Sequence, residues 1–210
     1  MKEAIETDGV IKGGLEMGLV NQRALARHIQ VTTHEKYSFE AILSAIRRYP
    51  IKESSARRGE IGNMILKLST KNRVVEVSVR NRPEIQLAIA RFAGEISYAA
   101  GETFWLISTP EMLGITIDSK NEARLNSKLS KQDVLGRLEN LAEIVIEMSG
   151  ILYIPGVMSA ITTQLAVNGV NIIGISGSGQ VTGVERVMIL VDEKDLLTAY
   201  QSLERLSKAK

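Results

Sequence analysis

The chain has 210 residues, 44% of them hydrophobic and 24% charged, with a formal net charge of +2 and no cysteine. These proportions suit a globular protein of one large or two to three small domains, and the missing cysteines exclude a disulfide framework and a thiolate site. No window reaches the roughly 18 apolar residues of a membrane span, and the first residues lack the apolar stretch of a secretory signal, so a cytoplasmic location with no membrane partner is expected.

The basic excess is N-terminal. Residues 1–58 hold 10 Lys and Arg against 7 Asp and Glu, whereas residues 142–210 hold 5 against 7. An early helix is expected across residues 2–17, with Leu19 or Val20 packing from it. A second begins at Asn21, a good N-cap, and spaces Leu25 and Ile29 four apart. A third begins at Ser38 and places Phe39, Ile42 and Ile46 on one face. This pair of capped helices resembles the helix-turn-helix core of prokaryotic regulators, loosened by the eight-residue connector Gln30–Tyr37. The segment that follows, Arg47 to Arg58, carries five positive residues and one negative, so Arg47, Arg48, Arg57 and Arg58 are candidate phosphate contacts on DNA. A solvated linker after a helical packing module fits the same residues.

In the middle third, residues 63–69 and 73–79 alternate as two strands, a hairpin turning at Thr70-Lys71-Asn72. A helix from Pro83 to Ala99, strands Thr103–Ser108 and Leu113–Asp118, and a helix from Lys131 to Leu141 are expected after it. The hairpin also suits the wing of a DNA-binding domain. Phe104 and Trp105 alternate faces, and core packing is expected of at least one.

The last third is the most patterned. Ala142–Met148 alternates as a strand. Pro155 suits a first helical turn and Gly169 a C-terminal cap, which bounds a helix over residues 155–168. Strands 171–176 and 186–191 flank a Gly/Ser-rich connector, and a helix over Glu193–Leu206 is expected to be buried through Leu196, Leu197, Tyr200 and Leu203. A glycine at a strand-to-helix junction leaves backbone N–H groups open beside a positive helix end, so Gly156, Val157 and Met158 are candidate contacts for a carboxylate.

Tyr153-Ile-Pro-Gly-Val-Met, Leu165-Ala-Val-Asn-Gly-Val-Asn-Ile and Val187-Met-Ile-Leu-Val together resemble the ACT domain, an amino-acid-binding regulatory module of amino-acid metabolism, over residues 142–206. The resemblance implies a ligand held between the Ile154–Met158 turn and a neighbouring ACT unit, with Asn171 and Ile172 completing the site. Ile151, Tyr153 and Ile154 stand where several amino-acid-binding members carry polar residues. Residues 59–141 resemble a second, degenerate unit, in which Arg82-Pro83-Glu84 takes the place of the binding turn and Glu84 repels a carboxylate. The expected fold class is therefore α+β: a helical module over residues 1–58, then two ferredoxin-like βαββαβ units with antiparallel sheets over 59–141 and 142–210.

Catalytic groups are scarce. Only His28 and His34 supply imidazoles, no metal-ligand spacing occurs, and Gly174, Gly177, Gly179 and Gly183 fit neither a dinucleotide nor a phosphate loop. The expectation is a regulator without catalysis or cofactor, dimeric or larger through its ACT units, that binds a small amino acid and modulates a DNA-binding module. The alternative is a regulatory subunit that docks on a biosynthetic enzyme.

Overall fold

The computed structural model describes residues 5–16, 20–32, 36–50, 63–149, 156–178 and 183–208. They fall into two compact units divided between Glu60 and Ile61.

The first unit is helical. Its helices α1 (Gly9–Glu16), α2 (Gln22–Thr32) and α3 (Phe39–Arg47) enclose Leu15, Leu25, Ala26, Ile29, Ile42, Leu43 and Ile46, with Val20 and Phe39 packed against them. Each helix starts where a side chain takes up orphan N–H groups. Asp8 accepts from Val10 and Ile11, Asn21 from Arg23 and Ala24, and Ser38 from Ala41. The expected early helix is thus interrupted: Ile5 and Glu6 are helical, and after Thr7 the Asp8 cap starts a new helix at Gly9.

The second unit runs β1 (Ile65–Arg80), α4 (Pro83–Ala93), β2 (Phe104–Ser108), β3 (Met112–Asp118), α5 (Glu122–Asn126), β4 (Val134–Met148), α6 (Val157–Ala166), β5 (Ile172–Ser178), β6 (Glu185–Asp192) and α7 (Leu196–Ser207). Its strands form one antiparallel sheet of six, in the order β2-β3-β1-β4-β6-β5. The boundary expected between residues 141 and 142 falls inside β4.

Two expectations are corrected here. Residues 65–80 form one strand with no hairpin, and Val134–Met148 is a strand where a helix over 131–141 was expected. Both long strands carry a non-glycine residue with positive φ, Arg73 at 57° in β1 and Asn140 at 55° in β4. Around them the β1–β4 register shifts, between Lys71 and Val74 and again between Val74 and Glu76. A β-bulge of this kind flips the inward–outward alternation of a strand. The flip lets Val75, Val77 and Val79 of β1 face the same layer of helices as Ile144, Ile146 and Met148 of β4.

The helices cover one face of the sheet. Against α4 and α5, Val75, Val77, Val79, Ile115 and Ile117 pack with Ile85, Ile89 and Phe92. Against α6 and α7, Ile144, Ile146, Val187, Ile189 and Val191 pack with Ile161, Leu165 and Leu203. Each fully buried side chain of this kind is worth about 1.5–3 kcal/mol of transfer free energy. Leu197 departs from its expected burial, at 67% exposed, since α7 turns Ala199, Leu203 and Leu206 inward. The helix expected to reach Ala99 ends at Ala93, with Gly94 as its C-cap, and Tyr98–Ala100 follows as a separate 3-10 turn.

On the opposite face, Val74, Trp105, Leu141 and Leu190 form a smaller cluster. Trp105 sits on the edge strand β2, yet its ring lies 4.0 Å from where a Cβ on Gly174 of β5, the other edge strand, would stand. The sheet is therefore rolled, and Trp105 closes its concave side.

Candidate functional site

At the turn singled out by the sequence, Gly156 takes φ 96° and ψ −1° and stands at the N-cap of α6. That conformation favours glycine, and among the described residues no atom lies within 4 Å of a Cβ built at this exposed position. Val157 turns its side chain into the core at 3% exposure, while Met158 is 39% exposed. Ile154 lies outside the described residues. Asn171 is exposed just ahead of β5, and Ile172 packs partly buried against the core. Gly156 and Asn171 stand at opposite ends of α6, whose ten residues span about 15 Å, so one small ligand cannot touch both within a single chain.

At the matching turn of the first half, Arg82 is the N-cap of α4, Pro83 its first residue and Glu84 exposed beside it. Arg82 pairs with the buried Asp133 at 3.2 Å.

In the helical unit Arg47 and Arg48 are exposed at the end of α3, and the Arg48 guanidinium folds back to donate to Ser44 Oγ at 2.7 Å. Arg57, Arg58 and His34 lie outside the described residues. His28 is exposed on α2.

A second group of polar residues was not picked out by sequence reasoning. On the concave face Glu143 is 7% exposed. Its two oxygens accept from Thr103 Oγ1 at 2.5 Å and from Trp105 Nε1 at 2.8 Å. Asp118, also buried, accepts from the Thr103 N–H at 2.8 Å and pairs with Lys71 Nζ at 3.2 Å. Lys71 donates besides to Thr103 Oγ1 at 2.9 Å and to the Gly101 carbonyl. Beside this network, Lys120 and the Ser97 N–H bind Glu102 and lower its pKa to about 2. A cleft of about 570 Å³ opens over the network, lined by Ser69, Tyr98, Phe104, Val145, Arg186 and Met188 as well as Lys71, Trp105 and Glu143. These residues come from four strands and a loop, so only the outward position of Glu143 in an alternating strand was visible in the sequence. Among the described residues no group of three His, Cys, Asp or Glu side chains could hold a metal, and no helix is long and apolar enough to cross a membrane.

No protein-family model and no curated protein matches this sequence. Solved structures do share its fold. The regulatory subunit of aspartate kinase from Thermus thermophilus, in its ligand-free form, aligns with a TM-score of 0.52 at 14% identity, over 68% of this chain and 97% of that one. Aspartate kinase of Clostridium acetobutylicum, described as an allosteric enzyme, aligns with a TM-score of 0.53 at 15% identity over 68% of this chain. The chain spans only 35% of that enzyme's length. Escherichia coli aspartokinase III, in complex with aspartate and ADP, gives a TM-score of 0.51 at 16% identity over 69% of this chain and 34% of that one. The mixed helix and antiparallel sheet fold is therefore that of aspartate kinase regulatory domains.

Proposed function

We propose that the protein is a non-catalytic regulatory subunit of the ACT type, which responds to a small amino acid and docks on an enzyme of amino-acid metabolism. The observation that carries this reading is the near-complete overlap with a separate regulatory subunit, 97% of its length, where only about a third of each whole kinase is matched. In this reading β1 and β4 are shared by two ferredoxin-like units, the first running βαββαβ from β1 to β4 and the second running βαββα from β4 to α7, with the first half of β1 as its fourth strand. The amino acid sits between the Gly156 turn of one copy, where the open N–H groups and the helix end favour its carboxylate, and Asn171 of a second copy. Two copies are needed because the two positions lie a helix length apart, which makes the protein a dimer or larger. The response is a shift of population toward the arrangement that the ligand bridges.

The test is a thermal-shift series with the twenty amino acids on the full chain. A ligand at about 100 times its dissociation constant adds roughly 2.7 kcal/mol to stability. At least one amino acid should raise the melting temperature, Gly156→Asp should abolish the rise, and Asn171→Ala should weaken binding by about 1–2 kcal/mol. No rise with any of them overturns the reading.

The two capped helices α2 and α3, with Arg47 exposed at the end of the second, favour a nucleic-acid role for the helical unit as a second reading. Binding to duplex DNA should then weaken steeply with salt. Changing Arg47, Arg48, Arg57 and Arg58 to Ala should lower the log-log slope by up to about 3.6. A docking subunit instead co-purifies with an enzyme and ignores DNA.

A further inference from the structure

The concave cleft holds one buried carboxylate that stands outside the ion pairs around it. Around it Lys71 pairs with Asp118, Arg186 with Glu147 at 3.2 Å and Lys120 with Glu102 at 2.7 Å. Glu143 forms no ion pair among the described residues, and the nearest ammonium, that of Lys71, reaches it only through the Thr103 hydroxyl. Lys71 stands directly across from it in the β1–β4 ladder, but turns its ammonium to Asp118 and the Gly101 carbonyl. The two donors that Glu143 does have, a hydroxyl and an indole N–H, are neutral. A buried carboxylate with no directly paired cation is unfavourable, and a cation that reaches it in a site partly screened from water is held more strongly than one at the surface.

The walls define what kind of cation fits. Trp105 and Tyr98 line one side, and aromatic rings attract ammonium groups. Val145 and Met188 give an apolar floor, and Ser69 a hydroxyl. Each carboxylate oxygen has a second lone pair free to accept. A metal ion would need more oxygen ligands than one already bonded carboxylate provides. From these observations we infer that the cleft is a binding site for an organic ammonium ion, a primary amine on a short aliphatic chain, with Glu143 as its countercharge. The site is on the face of the sheet away from α6, and does not involve the Gly156 turn.

Trp105 is the only tryptophan of the chain and donates to Glu143, so its emission reports directly on the cleft. The full chain is titrated with n-butylammonium chloride, and in parallel with sodium butyrate and sodium chloride, following Trp105 fluorescence and, separately, the heat of binding. A saturable response to the amine alone is expected. Glu143→Gln should weaken it at least tenfold. Val145→Phe, which fills the cleft and touches none of the hydrogen bonds, should remove it, and this variant stands by itself if Glu143→Gln does not fold. The proposal is overturned by the absence of any saturable signal or heat with the amine. An equal response to butyrate overturns it too, as does amine binding that survives Val145→Phe or keeps its affinity in Glu143→Gln.

Discussion

Glu102 illustrates how one ion pair makes a turn acid-sensitive. The Lys120 ammonium and the Ser97 N–H both favour its charged form, holding the carboxyl at about 2 against an ordinary value of 4.5. A carboxyl whose folded pKa is depressed contributes stability that is complete above its unfolded pKa and is lost as pH falls through the folded one. Urea midpoints measured from pH 6 downward should therefore drop in the window between about pH 4.5 and 2, and Glu102→Gln should flatten that part of the curve. An unchanged acid limb in the variant would assign the loss to other carboxyls. Single residues were also where the sequence was most legible. Asn21 and Ser38 cap helices because their side chains reach the first free N–H groups, and Gly156 occupies a left-handed conformation. These are local requirements, and local requirements show in a short stretch of sequence.

Elements whose form depends on distant partners were less legible. Leu135, Leu138 and Leu141 recur every third residue, as on a helix, yet they lie in β4, with the first two 47% and 49% exposed and the third buried. A bulge at Asn140 changes the alternation between Leu138 and Leu141, and a strand with an interrupted period imitates a helical one. The same ambiguity made Thr70-Lys71-Asn72 look like a turn, where β1 in fact continues past Arg73 because β4 pairs with it on both sides of the bulge. Asn140 is suited to its place, since asparagine tolerates positive φ better than other side chains. Asn140→Gly should leave stability within about 0.5 kcal/mol of the parent, whereas the β-branched Asn140→Val should lose at least about 1–2 kcal/mol by chemical denaturation. Equal stability of the two variants would mean that the bulge relaxes without cost. The Glu143 network was invisible for a related reason: Lys71, Thr103, Trp105 and Asp118 meet it only once the sheet has rolled.

At the scale of the whole molecule, the cores of the two units draw on separate stretches of chain. One uses residues from Ile5 to Tyr49, and the clusters of the other use residues from Met64 to Leu206. A fragment of residues 61–208 should consequently fold alone, showing a single cooperative urea transition by circular dichroism. A broad or two-step transition would show that its two halves come apart independently. That outcome is disfavoured by the sharing of β1 and β4, since a break in either strand strips partners from both halves.

The shared strands also bear on how the chain is made. During synthesis the helical unit has all its contacts available once residue 50 or so has emerged. Strand β1 comes out next, but its longest partner, β4, follows only after α4, β2, β3 and α5. Until then Val75, Val77 and Val79 depend on β3 and α4 alone, and the Ile65–Lys71 half of β1 has no neighbour in the sheet. Non-local pairing of this kind is slow, and unpaired strand edges are prone to aggregation. The nascent protein therefore passes through an interval in which an exposed half-strand waits for β4, and a chain truncated ahead of β4 would keep that half-strand unpaired.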